Sequence, residues 1–512
     1  MSESLIIIDF GSQYTRLIAR RVREANVYCE IHTYSTVWSD VEHLKPKGVI
    51  LSGGPNSVYD DDAPMAPQWI YDKGIPVLGI CYGLQVLAHQ MGGAVIPSNK
   101  KEYGDAVIQS DVSGHKLLDG IEFPTHVWMS HGDQVSVMPS GFQPLAYTDN
   151  SPVAIMENPE GIIGLQFHPE VVHTKQGSKI INNFLYNICE FTGNWTPNNF
   201  VEESVQRIRD QVGAGKVICA LSGGVDSTVT AALIHKAIGD QLTCIFVNNG
   251  LLRKDEHKRI VENFREKMDF NLEDVDATDL FLDKLNGVVD PELKRKIIGE
   301  EFIRVFEAKS TNMGDVEFLA QGTLYPDVIE SQTSENKASA KIKTHHNVGG
   351  LPDDISFKLV EPLRYLFKDE VREAGIALGL PEDMVYRQPF PGPGLAIRII
   401  GAITWDKLEI LRACDWIVID EIKRAGLYDE LWQSFAVLTD TKSVGVMGDF
   451  RTYGYMVAIR AVTSEDAMTA DWARLPYDIL ANISNRIVNE VHEVNRVVYD
   501  VTSKPPGTIE WE

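Results

Sequence analysis

Short apolar runs alternate with stretches of helical periodicity through most of the chain. Residues 5–8, 27–33, 48–51 and 76–80 read as strands, with an arginine-rich helix over 13–24 after the first. Strands that alternate with helices predict a parallel sheet covered on both faces, with ligands at the C-terminal strand ends. The pattern restarts at 217–221, a buried strand, followed by a helix opening at Ser227 in which Val229, Leu233, Ile234 and Ile238 recur at helical spacing. Strands at 242–247 and 316–320 and a solvated helix at 254–268 continue it. From 404 the order becomes helix (404–424), strands (435–438, 456–462), helix (477–494) and strand (496–502). Residues 190–200 read as a linker, and the proline-glycine run 388–394 cannot be helix or central strand, so it marks a junction. The expected fold class is α/β: two open, mostly parallel α/β domains over 1–192 and 200–387, then a small α+β domain over 388–512.

A length of 512 residues suits about three domains. The 48 basic against 72 acidic side chains leave a net charge of −24. That balance predicts no binding to nucleic acid or to an anionic membrane, and an anionic ligand would need a local basic pocket. The six cysteines are scattered without a C-x-x-C pair, which fits a reducing compartment. With no signal-peptide pattern and no run of membrane-spanning length, a cytoplasmic protein is expected.

Two stretches carry chemistry. Between strand and helix lie Ser222, Gly223, Gly224, Val225, Asp226, Ser227 and Thr228. The glycines let backbone approach a phosphate, the hydroxyls donate to its oxygens, and the helix N-terminus adds partial positive charge. A Walker A loop would place Lys-Ser/Thr at its end, whereas Asp226 stands here. A carboxylate beside phosphates implies a bridging cation, and Mg2+ carried with ATP is expected at Asp226. The second stretch, Gly79-Ile80-Cys81-Tyr82-Gly83 at the end of a strand, has the spacing of a nucleophile elbow with cysteine in place of serine. A helix N-terminus there favours thiolate over thiol. His168 and Glu170 follow another apolar run and, two apart in an extended segment, would share a face as base and orienter.

SGGP (52–55), GICYG (79–83) and FHPE (167–170) together resemble the class I glutamine amidotransferases, and SGGVDS (222–227) resembles the loop of the ATP pyrophosphatases. The first resemblance implies Cys81 as nucleophile, His168 as base and Glu170 as orienter. It also implies an oxyanion hole from the amides of Gly54 and Tyr82, and glutamine binding near Gln85, His131 and Asp133. QGTLYPD (321–327), IKTHHNVGGLP (342–352), PFPGPG (389–394) and KPPGTIEWE (504–512) extend the likeness over nearly the whole chain to the GMP synthetase family. That likeness implies a lid carrying Lys343, His345, His346 and Asn347, and an XMP site using Arg295, Gln433, Asp449, Lys504, Ile509 and Glu510. It further implies ATP, XMP and L-glutamine as substrates and a homodimer. A nucleotide sensor without chemistry would show a broken triad or loop, and none is seen. A glutamine-fed NAD synthetase would share SGGxDS but lack the KPPGTIEWE ending.

Overall fold

The computed structural model describes residues 3–311, 313–314, 316–333, 357–447, 449–464, 467 and 469–512. The lid expectation at Lys343, His345, His346 and Asn347 lies outside them. The chain divides into two units, Met1–Phe200 and Val201–Glu512.

In the first unit, β1 (Ser4–Asp9), β2 (Tyr28–Thr33), β3 (Gly48–Leu51) and β4 (Val77–Ile80) form parallel pairs, joined by β9 (Ile162–Leu165). β7 (Gln143–Ala146) and β8 (Ile155–Glu157) add an antiparallel edge, giving the order β2-β1-β3-β4-β9-β8-β7. β3, β4 and β9 are buried along their whole length, as expected of central strands covered on both faces. A separate two-stranded ladder pairs β5 (Ala94–Ile108) with β6 (Thr125–Val137), elements the apolar pattern does not announce.

The second unit holds a parallel five-stranded sheet, from β10 (Val217–Leu221), β11 (Leu242–Asn248), β12 (Leu272–Asp276), β13 (Phe318–Ala320) and β14 (Lys358–Val360), in the order β12-β11-β10-β13-β14. It also holds a four-stranded sheet in which β15 (Gln433–Met447) and β16 (Phe450–Thr463) form a long hairpin, flanked by β17 (Asp471–Trp472) and β18 (Val494–Tyr499). The hairpin strands run well beyond the two short strands expected from the sequence. One apolar cluster runs from Ile218, Ile245 and Leu319 through Leu395 and Leu411 to Leu438, Val457 and Ile483.

Three local expectations are corrected. The helix after β10 begins at Val225 rather than Ser227, because Gly224 already has the extended backbone of a cap. The linker at 190–200 is partly helix: Pro197–Val212 starts inside it, with proline at the first helical position, where a missing N–H is harmless. The helix expected at 254–268 is α-helical only over Glu256–Glu262 and continues as a π-turn through Lys267.

Candidate functional site

Cys81 sits between β4 and the helix Tyr82–Gln90 with φ +52° and ψ −101°, a conformation that side-chain-bearing residues avoid. The flanking glycines are obligatory. A Cβ on Gly83 would stand 2.4 Å from the carbonyl oxygen of Leu51, and one on Gly79 would stand 2.6 Å from the carbonyl carbon of Gly83. The turn aims the thiol at the carbonyl of Ser130 on β6, 3.6 Å away, and at the imidazole of His168.

The Nδ1–H of His168 donates to Oε1 of Glu170 at 2.7 Å, and Glu170 is fully buried. The residues are not on an extended segment as expected, since β9 ends at Leu165 and both lie in the bend after it. The contact holds because the bend is pinned. The His168 N–H donates to Trp128 O at 3.0 Å, Thr174 Oγ1 donates to His168 O at 2.6 Å, and Arg21 Nε donates to Glu170 O at 3.0 Å. Burial by itself would depress the imidazole, but hydrogen bonds to Cys81 and Glu170 outweigh it and raise His168 to about 10. The arrangement favours a protonated imidazole beside the sulfur of Cys81.

A Cβ built on Gly54 would lie 3.0 Å from the Tyr82 ring and 3.1 Å from Phe10, so SGGP and the elbow are in contact. Tyr82 opens its helix, where an N–H has no acceptor within the helix. Gln85 Nε2 donates to Asp133 O at 3.1 Å, His131 Nδ1 faces the same carbonyl at 3.0 Å, and the Asp133 carboxylate accepts the hydroxyls of Ser57 and Tyr59. All three residues expected near glutamine thus meet at the backbone carbonyl of Asp133 on β6.

In the second unit Gly223 has φ +73° and Gly224 caps the helix Val225–Ile238. The hydroxyls of Ser222 and Ser227 are 3.1 Å apart, and Thr228 Oγ1 donates to Gly224 O at 2.8 Å. The Asp226 carboxylate accepts from Lys368 Nζ at 2.5 and 2.6 Å, and Gly322 of QGTLYPD packs against Asp226. Arg387 Nη1 donates to Gly223 O at 3.0 Å. Neither Lys368 nor Arg387 belongs to a motif in the sequence that marks it. Lys368 opens a helix at whose start the Phe367 N–H donates to Glu370 Oε2 at 2.8 Å, a contact that does not mark the lysine.

Arg295, on the helix Pro291–Thr311, donates to the backbone carbonyl of Glu512, while buried Lys294 reaches the Glu512 carboxylate and Ile399 O. Glu510 accepts from Arg398 at 2.8 and 3.0 Å and from Gln433 at 2.9 Å. Ile509 packs on Phe435, Val437 and Ala458. The tail therefore brings Arg295, Gln433, Ile509 and Glu510 together. Lys504 is placed elsewhere, its Nζ donating to Ala467 O at 2.7 Å, and Asp449 is exposed beside the turn of the β15–β16 hairpin.

Residues 6–188 match the family model for class-I glutamine amidotransferase, 197–295 that for NAD synthase, and 420–511 that for the GMP synthase C terminal domain. The chain is 64% identical over its whole length to a glutamine-hydrolyzing GMP synthase of Dehalococcoides mccartyi, covering 96% of that protein. This chain belongs to the GMP synthase family. A second GMP synthase, from Thermomicrobium roseum, is 59% identical with 97% of it covered, and one from Heliobacterium modesticaldum is 58% identical with 99% covered. The NAD synthase match then marks the pyrophosphatase portion that GMP synthases share with that family. Among the described residues no helix is long and apolar enough to cross a membrane.

Proposed function

We propose that this chain makes GMP from XMP, ATP and glutamine at two centres, and that the strained Cys81 elbow facing His168 and Glu170 is the amide-cleaving one. The Cys81 thiolate attacks the side-chain carbonyl carbon of glutamine, with the amides of Gly54 and Tyr82 taking the oxyanion. His168 gives its proton to the leaving nitrogen, so ammonia departs and a glutamyl thioester remains. Water, deprotonated by His168, then releases glutamate. Glu170 holds the imidazole in place throughout.

Residues 222–228 are proposed to cradle the β,γ-phosphates of ATP while the C2 oxygen of XMP attacks the α-phosphorus and pyrophosphate leaves; ammonia then displaces AMP to give GMP. One partly exposed carboxylate at the cradle fits Mg2+ brought with ATP, because Mg2+ commonly takes one or two carboxylates and fills its remaining positions with phosphate and water. Asp226 would hold the ion, which supplies charge neutralisation. Lys368, released from Asp226, would reach a phosphate oxygen. Residues 200–387 and 388–512 are read as the ATP and the XMP-and-dimer domains. Homodimerisation is supported by Val444, Val446, Phe450 and Tyr453, all exposed on the β15–β16 hairpin. A cytoplasmic location fits six free, buried cysteines.

The test is Cys81→Ala. It should abolish glutamine-dependent GMP formation and leave synthesis from ammonium salt intact. A folded variant that lost both would break the two-centre scheme.

A further inference from the structure

One buried histidine–glutamate pair in the amidotransferase unit is not used by the chemistry above. His131 and Glu102 have side chains only 2% and 7% exposed, with Nε2 and Oε2 3.0 Å apart. Glu102 reaches this point from β5 because the β5–β6 ladder sets it opposite His131.

The neighbouring hydrogen bonds fix where the protons are. Thr148 Oγ1 accepts the N–H groups of Asn150 and Ser151, so its single proton points to Oε1 of Glu102 at 2.9 Å. His131 Nδ1 faces the Asp133 carbonyl, which can only accept, so Nδ1 carries a proton. Nε2 and Oε2 both carry lone pairs, and their 3.0 Å contact requires a single proton between them. Without it two lone pairs would oppose each other in a dry site.

The groups around the pair show what it holds. His168 lies close enough that its charge opposes a second charge on His131, and burial pulls His131 below its usual range against the pull of Glu102. Ser130, next in the chain, presents its carbonyl to Cys81, and Asp133, two further on, holds Gln85.

We propose that Glu102 is a positioning residue for the glutamine site: through His131 it locks the 130–133 segment of β6 against which Cys81 and the incoming glutamine are set. Thr148 is the anchor of Glu102. The proposal rests on Cys81 being the glutamine-cleaving nucleophile.

The test measures glutaminase kinetics on the full chain, with ammonium-dependent synthesis of the same samples as a folding control. Glu102→Ala leaves His131 and Thr148 without partners, so the glutamine KM should rise by about tenfold or more while ammonium-dependent turnover stays unchanged. Glu102→Gln should restore the KM to within about threefold, because the amide oxygen accepts from Thr148 and the amide N–H donates to a neutral Nε2, replacing the shared proton. If Glu102→Ala does not fold, Thr148→Val, which removes only the anchoring hydroxyl, should raise the KM in the same direction. An unchanged KM in the alanine or valine variant, or a glutamine variant as impaired as alanine, overturns the proposal. Glutamine hydrolysis surviving in Cys81→Ala would instead overturn the assignment of the centre itself.

Discussion

Lys368→Met removes the ammonium that lies 2.5 and 2.6 Å from the two oxygens of Asp226, and it separates two roles for that lysine. As a structural ion pair the contact is modest. The side chains are 35% and 31% exposed, so water screens the attraction and its loss should cost about 0–1 kcal/mol of stability. As a phosphate ligand Lys368 would matter more, since a hydrogen bond to a charged group contributes roughly 1.5–3 kcal/mol, or roughly a ten- to 150-fold change in apparent affinity. The assay is ammonium-driven GMP synthesis, which bypasses Cys81, with ATP and XMP varied separately and melting curves recorded in parallel. The expected result is a large rise in the ATP KM, little change for XMP and a nearly unchanged melting temperature. An ATP KM within about twofold of wild type would refute the reasoning and leave Lys368 as a partner of Asp226 alone.

Glu170→Gln removes the carboxylate that helps hold His168 at about 10, so the imidazole should lose its proton at lower pH, as read by nitrogen NMR of the ring. A raised folded-state value contributes stability that is complete below the ordinary 6.5 and disappears as pH climbs through about 10. The melting-temperature deficit of the variant should therefore narrow towards that alkaline end. Gly83→Ala drives a methyl to 2.4 Å from Leu51 O and should destabilise the first unit by about 1–3 kcal/mol or more in denaturant titration. Lys504→Ala frees the carbonyl of Ala467 and, if Lys504 turns to the XMP phosphate, should weaken XMP use roughly ten- to 150-fold while sparing the ATP KM.

What was legible in the sequence is what local chemistry dictates. GICYG announced its elbow because no side chain fits at Gly79 or Gly83, and SGGVDS announced an anion cradle because strand, glycines and helix follow one another directly. His168 and Glu170 were paired correctly for an incomplete reason. Alternation along a strand suggested a shared face, whereas a bend held by Trp128, Thr174 and Arg21 brings them together. The remainder depends on partners far apart in the chain. Arg398 meets Glu510 across 112 residues, Lys368 meets Asp226 across 142, and Glu102 meets His131 across a ladder in which apolar and polar residue types do not alternate cleanly along the sequence. Such pairs leave no periodic mark, so a lysine or glutamate reads as solvated until the fold closes around it.

The backbone of Cys81 limits what selection can do at this position. With φ at +52° the residue occupies a region where glycine is at ease and any other amino acid is strained by about 1–3 kcal/mol. The substitution that would relax the turn is therefore glycine, which discards the thiol. Drift towards greater stability and retention of the nucleophile pull this position in opposite directions, so a thermally hardened descendant would have to gain its stability elsewhere and leave residue 81 tense.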